Sequence, residues 1–413
     1  MSLREIKGRD IADKFNIIRN DGLWLVPSQS GKGKYKVNAE RQTCTCPDFE
    51  IRHQPCKHIY AVEVTIQRTH TAVTKNGVTT TTETVRVTKK QTYRQEWPAY
   101  NKAQTNEKRL FQYLLHQLCQ GIGSPAQYGA GRRFLPLEDV MFAMAFKVYS
   151  TVSGRRFMTD LKEAQAKGYL SQVPSYNSMF DYFNSEMLTD HLQMLIEESS
   201  LPLASIEHDF AIDSSGFSTC RFFQWVNAKY NDPTLIDKRA WMKIHLSCGV
   251  QTNVVTAVEI TSRHAGDSPY FKQLVDATAK NFQMREVSAD KAYISRNNLQ
   301  AVVDHNAMPY IPFKSDSKAE GSNKFYRRSQ LWKNMYHFFA YNTDRFMAHY
   351  HKRSNVETTF SMIKAKFGDA LRSKTERAQI NEALCKVLCH NICCLIQTMY
   401  ELGLKPKFWS VAA

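Results

Sequence analysis

Four residues within a span of fifteen, Cys44, Cys46, Cys56 and His58, are of the types that bind a soft metal ion. In an extended segment residues i and i+2 project to the same side, so Cys44 and Cys46 can offer two thiolates together. The run from Pro47 to Pro55 then closes a loop that brings Cys56 and His58 back to them. Two thiolates, a third and an imidazole suit one tetrahedral Zn²⁺. His53 in the loop is a competing ligand, but its use would break the Cys56-x-His58 pair. A second group, Cys385, Cys389, Cys393 and Cys394 with His390, falls at four-residue spacing among Leu384, Val387, Leu388, Ile392 and Leu395. That is how an apolar helix face is written, and the group reads as core.

Three acids far apart in the chain suit a different chemistry. In IEHDFAIDSSGF, strand alternation puts Asp209 and Asp213 on one face and Ile206, Phe210 and Ile212 on the other, with Ser214-Ser215-Gly216 expected to turn the chain. In REVSADKAYIS, Asp290 ends a strand and Ser295 opens the next helix. Around Glu357, Val356, Phe360, Ile363 and Phe367 form the stripe of a helix, and Arg353, Glu357 and Lys364 fall in a narrow arc beside it. Tyr350 joins them if the helix begins early enough. The competing role for Glu357 is a capping box with Ser354, in which the carboxylate only satisfies the helix start. Three acids from two strands and a helix suit phosphodiester chemistry, in which two Mg²⁺ ions activate the attacking oxygen and stabilise the leaving one. Magnesium takes carboxylate oxygens rather than sulfur or imidazole. Arg353 and Lys364 would hold phosphates, and Tyr350 would hydrogen-bond one.

The elements that position these residues follow from the pattern. Trp24-Leu25-Val26 and Tyr35-Lys36-Val37 read as a small hairpin, and IYAVEVTI after His58 as a helix packed on it. Thr- and Val-rich sequence around Asn76-Gly77 reads as a β-hairpin arm or linker. From Trp97 to Ser200 apolar residues recur at helical steps, with Arg132-Arg133 and Arg155-Arg156 as candidate DNA contacts. Beyond Pro202 come three strands, a helix from Pro269 to Phe282, a strand at 285–289, a helix from Ser295, a short strand in MPYIPFK, and helix again from Lys333 to Leu402. The expected class is α/β, an α+β multidomain chain with a mixed sheet flanked by helices. The expected division is a zinc finger over 1–72, the arm over 73–95, a helical DNA-binding region over 96–204, a catalytic domain over 205–402 and a tail over 403–413.

The chain has 413 residues and a formal charge of +16, and 43% of its residues are hydrophobic, which excludes wholesale disorder. No apolar run approaches the roughly 18–20 residues of a membrane span, and MSLREIKGRD lacks the apolar block of a secretory signal. An intracellular protein with no membrane partner is expected. Ten cysteines are too sparse for a disulfide scaffold. Between Tyr310 and Arg377 cations exceed acids by eight, half of the whole excess in a sixth of the length, and a polyanion is the natural partner. Phe325, Tyr326, Trp332, Tyr336 and Tyr341 interleave there, at a helical spacing that reads for most of them as core.

Tyr350-x2-Arg353-x3-Glu357-x6-Lys364 resembles the Tyr-Arg-Glu-Lys signature of a large group of insertion-sequence DDE transposases, and DSSG with Asp213 and ADKAY with Asp290 look like that family's two aspartate blocks. The spacing of Cys44, Cys46, Cys56 and His58 is similar to that of the SWIM zinc finger. The first resemblance covers about 205–400 and the second about 24–66. Together they imply a ribonuclease H-like catalytic fold, Mg²⁺-dependent cutting of double-stranded DNA at transposon ends, and strand transfer to a target by the freed 3′-hydroxyl. They also imply a structural zinc ion, a homodimer acting on two ends, and a cytoplasmic, nucleoid-associated enzyme. By position, Asp213, Asp290 and Glu357 would hold two Mg²⁺ ions, and Tyr350, Arg353 and Lys364 would meet DNA phosphates. Trp332 stands where relatives can stack a tryptophan on a flipped base, with a place in the core as the competing role. Only 67 residues lie from Asp290 to Glu357, which leaves little room for the β-rich insertion some relatives carry. The rival function is a zinc-finger adaptor whose inactive nuclease-like domain docks DNA or protein without cutting.

Overall fold

The computed structural model describes residues 3–20, 22–29, 33–39, 41–69, 73–75, 78–80, 96–123, 135–219, 241–319 and 329–409. Asn76-Gly77, Arg132-Arg133, Phe325 and Tyr326 lie outside these. The chain divides into two bodies, Met1–Gln95 and Glu96–Ala413.

In the first body helix α1 (Leu3–Lys14) precedes strands β1 (Ile18–Asn20), β2 (Leu23–Pro27), β3 (Lys34–Asn38) and β4 (Thr43–Cys44), which form an antiparallel sheet in chain order. The expected hairpin is β2 with β3, Trp24 opposite Val37 and Val26 opposite Tyr35. Two short helices follow, α2 (Pro47–Arg52) and α3 (Lys57–Thr69). Helix α1 packs on α3 at Gly8, where a Cβ would lie 2.6 Å from that of Tyr60. The core is small: Ile11, Val26, Val37, Ile59, Ala61 and Val62 are joined by the three cysteines of the cluster. Strands β5 (Val73–Lys75) and β6 (Val78–Thr80) pair antiparallel with two residues between them.

Among the described residues the second body begins with five helices, α4 (Trp97–Gln120), α5 (Leu137–Ser150), α6 (Gly154–Ala166), α7 (Tyr176–Phe183) and α8 (Met187–Ser200). Strands β7 (Asp209–Ser218), β8 (Trp241–Gly249) and β9 (Val255–Ser262) then run antiparallel to one another. Helix α9 (Ser268–Ala279) leads to β10 (Glu286–Ala289), and α10 (Arg296–Val303) to β11 (Met308–Tyr310). The sheet order is β11-β10-β7-β8-β9, with β10 parallel to both β7 and β11. Four helices close the chain: α11 (Gln330–Tyr341), α12 (Thr343–Tyr350), α13 (Ser354–Phe367) and α14 (Glu376–Glu401). This mixed sheet flanked by helices is the ribonuclease H-like arrangement.

Alternation along β7 divides the core. Phe210 and Ile212 point into a cluster with residues of α9 to α12, whereas Ala211 and Phe217 point into a larger one built with α4, α5, α8, α13 and α14. The change of element type near residue 205 is therefore not a change of core: the helices before it and the sheet after it bury the same cluster. Among the described residues only α14 is long and apolar enough to cross a bilayer, and it is largely buried within this body.

Ser214-Ser215-Gly216 do not turn the chain. Strand β7 continues through them and pairs Ser214 with His245, Ser215 with Ile244 and Gly216 with Lys243. The long partner β8 carries the strand on. Glycine is needed at 216 for space rather than for a turn, since a Cβ there would lie 2.7 Å from the Trp241 ring.

Asn391 of α14 ties helix to sheet. Its side chain accepts from Val255 N at 2.8 Å and donates to Val255 O at 2.8 Å and Ser199 Oγ at 3.0 Å, fully buried. Asn391→Leu orphans the β9 amide and carbonyl, at roughly 1–3 kcal/mol for each buried group. Urea unfolding should show a midpoint lowered accordingly with an unchanged slope.

Candidate active site and metal centre

The zinc expectation is met by geometry. One ligand atom from each of Cys44, Cys46, Cys56 and His58 lies within 4.8 Å of all the others, and all four residues are buried. Strand β4 delivers Cys44, the segment entering α2 delivers Cys46, and the start of α3 delivers Cys56 and His58. His58 Nδ1 faces Cys56 Sγ at 3.8 Å and Cys44 Sγ at 3.9 Å. Its ring lies 4.7 Å from that of Tyr35. His53 is exposed, caps α2 with φ +52°, and stays outside the cluster. The thiols are unequal. A hydrogen bond from Cys44 pushes Cys56 down to about 3, that bond and burial push Cys44 up, and burial pushes Cys46 up. Three buried sulfurs and an imidazole without a carboxylate form a donor set that fits Zn²⁺. The other cysteine group is core as expected: Cys385, Cys389 and Cys394 are buried, and His390 Nε2 meets the Asn253 carbonyl at 2.9 Å.

The sheet register brings the two aspartates together. Ala289 of β10 lies opposite Ile212 of β7, so the next residues, Asp290 and Asp213, emerge side by side. Asp290 caps a turn of 3₁₀ helix at 291–293 by accepting from Lys291 N. The third acid comes from the helix. Val356, Phe360, Ile363 and Phe367 bury one stripe of α13 against the sheet face that carries Ala211 and Phe217. Glu357, beside that stripe, is 57% exposed at its side chain. Helix α12, a 3₁₀ turn at 351–353 and α13 follow one another directly, so Tyr350, Arg353, Glu357 and Lys364 rise along one helical path.

Arg353 joins the acids. Its Nη1 donates to Asp213 Oδ2 at 2.6 Å and its Nη2 to Glu357 Oε1. The capping box does not form: Ser354 Oγ donates back to the His351 carbonyl at 2.9 Å, and Glu357 is free to face Asp213 through the guanidinium. Burial raises the Asp213 carboxyl, with Asp290 and Glu357 adding to it, while the Ser214 amide and Arg353 oppose them. The three carboxylates are related by the strand register, which sets Asp290 beside Asp213, and by Arg353, which joins Asp213 to Glu357. Their oxygens are not gathered as tightly as the zinc ligands, which are the group within 4.8 Å among the described residues.

Asp213, Ser215, Glu357, Phe360, Lys364 and Asp369 line an open cleft of about 590 Å³. Lys364 Nζ donates to Ser215 Oγ at 2.6 Å and sits 5.0 Å from the Phe217 ring, and burial pushes its ammonium down. The Tyr350 ring lies 5.8 Å from the Arg353 guanidinium, and burial raises its phenol. Trp332 is elsewhere. It is 8% exposed, packs edge-on to Phe313, donates from Nε1 to the Lys318 carbonyl at 2.9 Å, and gives its face to Arg296. A ring so held has no free face for a base.

Two clusters escaped the sequence patterns. Asp209 is not part of the acid centre: it accepts from Arg285 at 2.7 and 2.8 Å and from Lys352 at 2.7 Å. Lys352 also meets Glu286 at 2.7 Å, and Glu286 meets His349 at 2.9 Å, so the turn before Arg353 is pinned to the starts of β7 and β10. Beside Asp213, Asp267 accepts from Ser214 Oγ at 2.7 Å and Lys243 Nζ at 2.6 Å. No local motif announces either cluster.

Cys56→Ser should reduce zinc from about one equivalent per chain to a trace and open the first body to protease, leaving the unfolding of Glu96–Ala413 unchanged. Elemental analysis with limited proteolysis reads both. Lys352→Met leaves Asp209 and Glu286 facing one another without their shared cation, and chemical denaturation should show a loss of roughly 1–3 kcal/mol.

Comparison with protein families gives two matches. Residues 206–392 match the family described as transposase DDE domain, and residues 35–67 match the SWIM zinc finger. Comparison with curated proteins gives no match. The first match takes in Asp213, Asp290, Glu357 and the whole five-stranded sheet, and the second takes in the four zinc-site residues. Over residues 206–392 the chain is thus similar to the transposase DDE domain family, and over residues 35–67 to the SWIM zinc fingers.

Proposed function

We propose that the chain is a DDE transposase that cuts double-stranded DNA at transposon ends by Mg²⁺-dependent hydrolysis and joins the freed 3′-hydroxyl to a target. What supports this reading is the register that sets Asp290 beside Asp213, together with the Arg353 guanidinium that joins Asp213 to Glu357. Carboxylates that repel one another and share a guanidinium are a donor set suited to hard divalent ions. Asp213, Asp290 and Glu357 would hold two of them. When bound, such ions supply an activated oxygen nucleophile and stabilise the leaving oxygen.

The chain's own groups do the rest. Lys364 and Tyr350 stand on the helical path of Glu357 and would orient the phosphates on either side of the cut. Arg353, released from the acids, would take a phosphate oxygen in place of a carboxylate, for which its planar fork is equally suited. The Ser214 hydroxyl, held by Asp267, fixes the backbone whose amide supports Asp213. The excess of cations from 310 to 377 favours the polyanion. The helices before the sheet and the zinc finger are our candidates for recognising the ends, and a dimer follows from the need to act on two of them. A cytoplasmic enzyme associated with the nucleoid fits this work.

Asp213→Asn and Glu357→Gln should each lower Mg²⁺-dependent cleavage of DNA by at least about a hundredfold with the fold intact by circular dichroism. Joined products separate a transposase from a simple nuclease. Cleavage unchanged in both variants would remove these acids from the mechanism, and wild-type protein that binds DNA without ever cutting it would favour the adaptor.

A further inference from the structure

A second cavity, of about 570 Å³, opens on the second body between α5, α7, the start of α14 and the segment from Phe367 to Thr375. Its walls are partly aromatic. Phe183 and Phe367 are nearly buried, and Phe180 is 53% exposed at the mouth. Four cations line it, Lys147, Arg372, Lys374 and Lys386, against two carboxylates, Asp181 and Glu382.

The cations outnumber the carboxylates, and their hydrogen bonds go largely to neutral groups. Glu382 spends its oxygens on the backbone amides of Arg372 and Ser373, at 2.8 to 3.0 Å. Lys386, only 2% exposed, donates to the carbonyls of Gly368 at 2.9 Å and Ala370 at 2.8 Å, neutral partners that leave one of its three N–H groups. Lys147 likewise donates to a carbonyl, that of Val152, at 2.6 Å. Burial pushes Lys386 down to about 8 and lowers Lys147, with the charge of Glu382 opposing both shifts and that of Arg372 adding to them. Four cations against two carboxylates leave an excess of positive charge, which is what an anion site requires.

The cavity borders the acid centre. The Phe217 ring, four residues along β7 from Asp213, has Lys364 of the cleft 5.0 Å from its centroid and Lys386 of the cavity 5.5 Å away. Gly368, at φ +84°, turns the chain out of α13, and the backbone that follows is pinned to β7 through Ser218. On that segment Asp369 lines the cleft and Arg372 lines the cavity.

We propose that this cavity is a nucleotide subsite, with a phosphate on Lys386, Lys147 and Arg372 and the base against Phe180 and Phe183. Its volume suits one nucleotide, its cations suit phosphate, and its rings suit the face of a base without regard to sequence. The assignment rests on the DNA-cutting function proposed above: the occupant is a nucleotide of the strand near the cut bond, not a free nucleotide of the same chemistry.

Fluorescence anisotropy of the full chain in Mg²⁺-free buffer tests this with a labelled short single-stranded DNA and competing dAMP or inorganic phosphate. Phe180 and Lys374 are exposed, so Phe180→Ser and Lys374→Glu keep the fold. Each should weaken both DNA and dAMP by at least about fivefold, dAMP should displace the DNA, and phosphate should compete only at much higher concentration. Asp213→Asn should leave dAMP affinity unchanged while cleavage is lost, so the subsite and the acid centre fail separately. Unchanged affinities in both rim variants overturn the subsite. Phosphate competing as well as dAMP overturns recognition of the base, and dAMP that binds without displacing DNA overturns the strand as its source.

Discussion

Two carboxylates brought face to face need a cation between them, and in this chain Arg353 is that cation. Asp213 reaches it from the sheet and Glu357 from the helix, through hydrogen bonds to the two ends of one guanidinium. The arrangement depends on separate constraints being met together. The β7–β10 register must bring Asp290 beside Asp213. The helical path must keep Arg353 and Glu357 one turn apart. Lys352 must hold the start of that path against Asp209 and Glu286. A one-residue slip of β10 would turn Asp290 to the opposite face. The guanidinium thus keeps in place a group of acids whose mutual repulsion would otherwise spread them.

The two bodies solve the stability problem differently. Beyond residue 96 a large core covers both faces of the sheet, and the buried amide of Asn391 is satisfied by Val255 and Ser199. Among the described residues the first body buries six aliphatic residues beside its three cysteines, fewer than a free-standing core needs. Its thiols are core and ligand set at once. A metal bound there would supply folding free energy that packing does not.

Sequence periodicity revealed most of this fold. The stripe Val356, Phe360, Ile363, Phe367 placed α13, and the alternation around Asp213 placed β7 with its two faces. It missed what depends on distant neighbours. Ser214-Ser215-Gly216 has turn composition, yet β8 extends the strand through it, and its glycine makes room for Trp241. Asp209 shares a face with Asp213, but Arg285 and Lys352, both remote in sequence, claim it. Ser354-x-x-Glu357 spells a capping box that loses to Arg353, because an ion pair on the helix surface competes for the same carboxylate. Trp332 has the spacing of a reader of bases, and only the packing of Phe313 and Arg296 shows it to be built into the core. Local pattern reports what an element buries, whereas partners from other elements decide what its charged residues do.

The central proposal is that Asp213, Asp290 and Glu357 together form a seat for hard divalent ions. Manganese, an anomalous scatterer that follows Mg²⁺ into carboxylate sites, tests it directly in crystals of the full chain. The account predicts manganese peaks among Asp213, Asp290 and Glu357, with the Arg353 side chain withdrawn from both of its carboxylates. Manganese absent from these acids at saturating concentration, with Arg353 still bridging Asp213 and Glu357, would contradict it.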